Sequence, residues 1–345
     1  NCRAGPDMKV ALSLAFVSVL GAVATPQQVF RAGVDGVAIQ AAVARGDRPV
    51  AGLGARDFAL HDNGVAQEIT AVAAETLPVD VTLLLDASAS VDGATLARLK
   101  AAVNDTASLL HAEDRLRLIA ISQVLRQVFD FRPRGEAMPL DALGAEGATS
   151  LYDALGAAMM RPSDPGRRQL VVAFTDGADS TSILDESAVR QIARRTDAVV
   201  DVVVPMTTEE APPNQPATNT FRQPLAAALT SGTNVVAGSP SEMADRARDL
   251  QPWAKKAAVT TTLSDLVSPT TGQVFAIGAR DSIAGAFRQT LDDFRQSYVI
   301  EYVPRGVSPG GWHDVMVTVL KAGKFTVRAR RGYEGRDNEN PEGSR

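Results

Sequence analysis

The stretch Val79–Ser90, VDVTLLLDASAS, decides how the rest of the chain is read. It begins as an apolar run from Val81 through Leu85, with the length and Val/Leu content of a strand buried on both faces. The run stops at Asp86, and small hydroxyl residues follow at every second position, Ser88 and Ser90. A carboxylate at the carboxyl end of a central parallel strand sits where open α/β sheets bind their ligands. Asp86, Ser88 and Ser90 in one tight loop offer hard oxygens that converge on a point. Such donors suit magnesium, manganese or calcium better than zinc or copper.

A lone Asp-x-Ser-x-Ser carries little weight, because Asp and Ser are common in strand-to-loop turns. Two further stretches support it. Gly147–Asp153, GATSLYD, places Thr149 in a small-residue loop directly before a helical run. Leu170–Gly177, LVVAFTDG, is a second buried strand that ends on Asp176. Two strands ending on Asp, with a Thr at a helix start between them, make a candidate cation site.

These three pieces resemble the metal-ion-dependent adhesion site of von Willebrand factor type A domains. All five positions of that pattern are filled, by Asp86, Ser88, Ser90, Thr149 and Asp176; the one departure is Ala89, where such domains usually carry Gly. The resemblance implies a bound Mg²⁺ or Mn²⁺ touched by Ser88, Ser90 and Thr149, with Asp86 and Asp176 holding its waters. It implies an open coordination position that accepts an Asp or Glu side chain from a partner protein. By the same likeness, the helix Ile283 to Gln296 would couple the site to the β domain. The flanks PVAGLGARDFALHDNG, SYVIEYVP and VRARRGY resemble the secreted bacterial VWFA-related proteins described for Acidobacteria, so the likeness runs over residues 27–334.

The 345 residues are 45% apolar, enough for more than one core. A formal charge of −5 and 5% aromatic residues argue against a nucleic-acid surface. Cys2 is the only cysteine, which excludes a disulfide framework and a thiolate metal cluster. His61, His111 and His313 are scattered and read as surface or packing residues. From Met8, one Lys precedes the apolar stretch Val10–Leu20 and then Ala22-Val-Ala24, the pattern of an export signal over residues 1–24. The expectation is an exported protein, secreted or periplasmic, without a transmembrane segment.

Residues 27–78 read as a small β domain. Asp62-Asn-Gly64 there marks a hairpin between Phe58–His61 and Val65–Val72, since Asn-Gly accepts positive φ. Arg45-Gly46-Asp47 reads as a turn. From Val79 strands alternate with helices, which implies a mostly parallel sheet with helices on both faces. The Rossmann-like α/β domain is expected over 79–297, with a loop-rich insertion at 205–259 and a short helix near Ser241–Leu250. Tyr298–Tyr302, Val315–Leu320 and Phe325–Ala329 return to β within 298–334, Gly323 suggesting a hairpin between the last two. Residues 335–345 are expected to be a disordered tail. The fold class is α/β, a doubly wound, mostly parallel sheet flanked by a small β-sandwich built from the strands at both ends.

An enzyme reading needs a nucleophile with its base. Gly306-Val-Ser308-Pro-Gly310 matches Gly-x-Ser-x-Gly but lies between strands, and Pro309 has no N–H for an oxyanion hole. The expectation is a binding module rather than an enzyme. The alternative is a structural, envelope-associated protein in which the metal only stabilises the loops.

Overall fold

A computed structural model describes residues 36–46, 48–74, 77–89, 91, 93–141, 143–206, 252–278 and 282–335. The expected export signal, the Ser241–Leu250 helix and residues 336–345 lie outside them, as do Asp47 and Ser90.

The first lobe is a six-stranded sheet in the order β11-β10-β9-β6-β7-β8. Its strands are β6 (Val79–Asp86), β7 (Arg115–Ile121), β8 (Arg126–Pro133), β9 (Arg168–Phe174), β10 (Val199–Met206) and β11 (Val274–Gly278). Every residue of β6 is buried, as its sequence requires, because it pairs in parallel with β7 on one side and β9 on the other. β8 is the antiparallel edge strand. Helices α1 (Gly93–Leu109) and α5 (Ile283–Arg295) cover one face, through residues such as Leu99, Val103, Phe287 and Leu291. Helices α2 (Leu151–Met159), α3 (Glu186–Arg195) and α4 (Pro252–Val267) cover the other, through Leu155, Val189 and Leu263. The chain runs from β6 outward to β8 and then returns to the other side of β6 as β9. The strand order therefore reverses between β6 and β9, and a crevice opens at their carboxyl ends.

The remaining strands form two sheets. One joins β14 (Thr326–Ala329), β1 (Val37–Arg45), β12 (Tyr298–Tyr302) and β5 (Ile69–Ala74), with β2 (Arg48–Pro49) beside β1. The other joins β15 (Gly332–Gly335), β13 (Gly311–Val319), β3 (Phe58–Asp62) and β4 (Val65–Gln67). Strands from both chain ends thus pair directly, β1 with β12 and β3 with β13. The two sheets share one apolar cluster that includes Ile39, Phe58, Leu60, Tyr298 and Val317. The α/β lobe leaves this pair of sheets after β5 and re-enters at β12, and those two strands are themselves antiparallel partners, Ala74 opposite Tyr298. Buried Arg168 on β9 lies 4.0 Å over the Phe294 ring, donates to Phe294 O at 3.0 Å and Ser297 Oγ at 2.5 Å, and crosses to the other lobe to donate to Gln40 Oε1 on β1 at 3.3 Å.

Asn63 and Gly64 take φ of 47° and 79°, as the hairpin chemistry demands. Three expectations need correction. The run Val65–Val72 is two strands, because the chain changes sheets near Glu68: β4 pairs with β3, whereas β5 pairs with β12. The hairpin expected around Gly323 is absent. β13 pairs with β3 and β15, and β14 crosses to the other sheet to pair with β1. The proposed insertion is shorter than 205–259, since α4 starts at Pro252. The buried side of α4 carries Lys256 and Thr260 before Leu263, Leu266 and Val267, so its apolar periodicity is broken in its first half.

One buried charge makes the stability of this lobe pH-dependent. The carboxyl of Asp201 on β10 is pushed up to about 7, chiefly by burial and partly offset by the hydrogen bond from Gln273 N–H. A folded-state value above the ordinary 3.8 gives stability that is fully present below the ordinary value and lost as pH rises to about 7. Asp201→Asn keeps the acceptor for Gln273. It should therefore be more stable than the parent above pH 7, by roughly 2–4 kcal/mol, and lack this slope. Urea unfolding of both proteins across that pH range checks the sign.

Candidate metal centre at the strand ends

Asp86 is the last residue of β6, and the backbone turns at once into the site. Ala87 N–H donates to Ile121 O at 2.8 Å, fixing the loop to the end of β7. Two backbone bonds then tie it to the loop before α2: Glu146 N–H to Ala87 O at 2.8 Å and Ala89 N–H to Gly147 O at 2.9 Å. Gly147 takes φ +71°, and a Cβ there would lie 3.0 Å from Gln123 Cβ, so glycine suits this turn on both counts. By this route Thr149 is brought beside a loop that precedes it by sixty residues.

Asp86, Ser88 and Thr149 are buried, and Asp176 is exposed at the mouth. Asp86 Oδ1 accepts from Ser88 N–H at 3.0 Å, and Oδ2 accepts from the Thr175 hydroxyl at 3.0 Å. Thr175 Oγ1 in turn accepts from Gly177 N–H at 3.0 Å, and Asp176 Oδ1 accepts from Ala178 N–H at 2.9 Å. Burial raises the Asp86 carboxyl above its ordinary range; hydrogen bonds from Ser88 and Thr175 oppose that shift, and the charge of Asp176 adds to it. Two carboxylates, one of them buried beside hydroxyls and raised partly by the charge of the other, form a donor set that a hard cation would satisfy. The residues present therefore fit a Mg²⁺-type ion.

The loop after β9 is laced to the start of α2. Thr149 O accepts from Ser180 N–H at 2.9 Å and Thr181 N–H at 3.2 Å. Asp179 Oδ1 accepts from Tyr152 N–H at 3.1 Å, and the Asp153 carboxylate accepts from Ile183 and Leu184 N–H. Asp153 is thus structural, its carboxylate engaged by backbone N–H groups.

Of the five residues singled out in the sequence, four are described, and they gather at the β6/β9 crevice: Asp86, Ser88, Thr149 and Asp176. Two residues escaped the sequence reading. Thr175 orients Asp86, and its only signal was its place before Asp176. Lys256 on α4 reaches across to donate from Nζ to Asp176 O at 2.9 Å. Lys256→Met removes a charged hydrogen bond from a buried position, and its expected cost is about 1.5–3 kcal/mol in a urea titration.

A doubly wound α/β domain with acidic and hydroxyl residues at its strand-order reversal belongs to the class of ligand-binding open-sheet domains. Residues 80–211 match the family model of the von Willebrand factor type A domain, and the chain contains such a domain. No curated protein matches the chain. Among solved structures, BatB from Bacteroides thetaiotaomicron is similar at 16% identity and a TM-score of 0.41, covering 63% of this chain and 98% of that one. A von Willebrand factor type A protein from Catenulispora acidiphila is similar at 13% identity and a TM-score of 0.43, covering 86% of this chain and 73% of that one. Proximal thread matrix protein 1 from the mussel byssus, solved with a zinc-occupied MIDAS motif, is similar at 12% identity and a TM-score of 0.43. That match covers 66% of this chain and 48% of the mussel protein.

Proposed function

We propose that this protein is a metal-dependent protein-binding module. Asp86, Ser88, Ser90, Thr149 and Asp176 would hold Mg²⁺ or Mn²⁺, and the cation's open position would take an Asp or Glu side chain of a partner protein. The observation that carries this reading is the meeting of Asp86 and Ser88 with Thr149 and Asp176, from three separate stretches of sequence, at the one crevice the topology opens. The bound ion would supply a positive charge at the mouth of the crevice. The protein's own residues do the rest: Thr175 orients Asp86, and the Ser180–Thr181 amides fix the Thr149 backbone.

The rim also suits a protein ligand. Val124 is 74% exposed and Ile183 is 94% exposed, on loops that bond to the start of α2. Apolar side chains beside a charged centre give a partner both area and specificity. The reading is one of binding without turnover. The two flanking sheets, built from strands within Val37–Ala74 and Tyr298–Gly335, read as a β-sandwich that carries the domain. Placement among secreted bacterial VWFA-related proteins, with export to the periplasm or beyond, rests on the flanking motifs and the amino-terminal pattern. Among the described residues no helix is long and apolar enough to cross a bilayer.

The test is isothermal titration of Mg²⁺, Mn²⁺ and, as contrast, Zn²⁺ into the full chain, followed by capture of acidic peptides with and without metal. The expected result is Mg²⁺ or Mn²⁺ binding and peptide capture abolished by chelation. Metal binding without metal-dependent capture would leave only the stabilising role; absence of metal binding would overturn the reading.

A further inference from the structure

A second site lies away from the strand-end crevice, where the two lobes meet. A cavity of about 370 Å³ opens between α4, the turn into β11 and strands β13 and β14. That volume falls within the range of small-ligand pockets, about 300–1,000 Å³.

The lining is what separates this cavity from a packing void. A void between packed lobes is walled by apolar groups. Here Arg328 and Arg331 line the cavity and no carboxylate does, in a chain whose formal charge is −5. Opposite them, α4 and its continuation present Thr260, Ser264 and Ser268, spaced four apart and so on one side of the helix. The apolar part of the wall is Val274, Val315, Met316, Val317, Val327 and Ala329.

Arg328 is half-buried, and its one hydrogen bond among the described residues is from Nη1 to Thr271 O at 3.3 Å. It makes no ion pair among those residues. Burial pulls its pKa down from the ordinary guanidinium value, while the charges of Asp201 and Asp293 counter that shift. The hydroxyl of Ser264 and the side-chain amide of Gln273 likewise make no hydrogen bond among the described residues, and both line the cavity. A guanidinium with spare donors, flanked by a free hydroxyl and a free amide, matches a planar oxyanion.

We propose that this cavity binds a small organic anion, with its carboxylate on Arg328 and its short apolar part against Val315, Val317 and Val327. The site is independent of the metal centre and does not rest on that reading.

Isothermal titration of the full chain with hexanoate, its uncharged analogue hexanamide, and inorganic phosphate tests it. The expected result is hexanoate binding, with hexanamide and phosphate each at least tenfold weaker. Arg328→Met should weaken hexanoate at least tenfold, with circular dichroism confirming the fold, and Arg328→Lys should recover part of the loss. Because Arg328→Met also removes a charge near buried Asp201, Ser264→Leu provides a second variant, in which the added side chain fills the cavity and blocks hexanoate. Equal binding of hexanoate and hexanamide, undiminished binding in both variants, or no hexanoate binding by the parent would each overturn the proposal. Phosphate binding as tightly as hexanoate would overturn the part assigned to the valines.

Discussion

Asp86→Asn should weaken Mg²⁺ or Mn²⁺ binding by about 10–100-fold or more, the range seen when an orienting or ligating group at a metal site is changed. The same variant should be more stable than the parent in the absence of metal. The two signs have one cause. Burial, reinforced by Asp176, raises the Asp86 carboxyl above its ordinary 3.8. The folded state then favours the protonated group, and its contribution to stability falls as pH rises from the ordinary value through the raised one. Where Asp86 is ionised, its charge is therefore a net cost to the metal-free fold. Asparagine keeps the shape and an acceptor for Ser88 N–H while removing the charge. Adding metal reverses the order: at a free concentration a hundredfold above its dissociation constant, a ligand stabilises the parent by about 2.7 kcal/mol. Thermal melts of both proteins, with chelator and with Mg²⁺, measure this crossing. A variant that binds metal as tightly as the parent, or that is less stable in chelator, would sink the assignment of Asp86.

The site was legible because its residues stand at the ends of strands whose burial is written in their own composition. Leu83–Leu85 and Leu170–Phe174 are apolar on both faces, so the sheet's centre and its carboxyl edge follow from local sequence. What the sequence hid was decided by distant chain. The face of α4 packed against the lobe begins with Lys256 and Thr260, residues that read as solvent-facing until Asp176 O is seen to accept the ammonium. The split of Val65–Val72 between two sheets depends on β12, more than two hundred residues later, offering β5 a partner. No local pattern around Gly323 distinguishes a hairpin from a crossing between sheets. The strongest buried polar cluster was equally invisible: His313 read as an isolated histidine because its partner, Asp62, is 251 residues away.

That cluster carries the largest expected effect on stability. Asp62, fully buried on β3, accepts hydrogen bonds from Tyr302 OH on β12 and Tyr333 OH on β15, each at 2.9 Å, and lies 2.8 Å from His313 Nδ1 on β13. Burial and the neighbouring groups raise both phenols well above their ordinary range, so each stays protonated and donates. His313 stacks on Tyr333 at 4.5 Å, and its Nε2 has no partner among the described residues, which leaves the proton on Nδ1 for Asp62. One carboxylate therefore answers three donors contributed by both sheets. Asp62→Ala would remove the acceptor that Tyr302 OH, Tyr333 OH and His313 share, leaving Tyr333 OH and His313 Nδ1 only each other at 3.0 Å, and the expected loss is about 3–5 kcal/mol in urea unfolding at pH 7. Tyr302→Phe removes a single donor and should cost about 0.5–1.5 kcal/mol. The double variant should be less destabilised than the sum of the two, because the phenol orphaned by Asp62→Ala is no longer there. Strict additivity, or a loss below about 1 kcal/mol for Asp62→Ala, would mean that water satisfies these donors and that the cluster does not bind the sheets. The location makes the measurement informative beyond the cluster. Tyr302 ends β12, the strand through which the α/β lobe re-enters, so tightening or loosening it acts on the support of that lobe as well. A single unfolding transition that shifts as a whole in Asp62→Ala, and moves up again with Mg²⁺, is the expected signature of two lobes that fold as one.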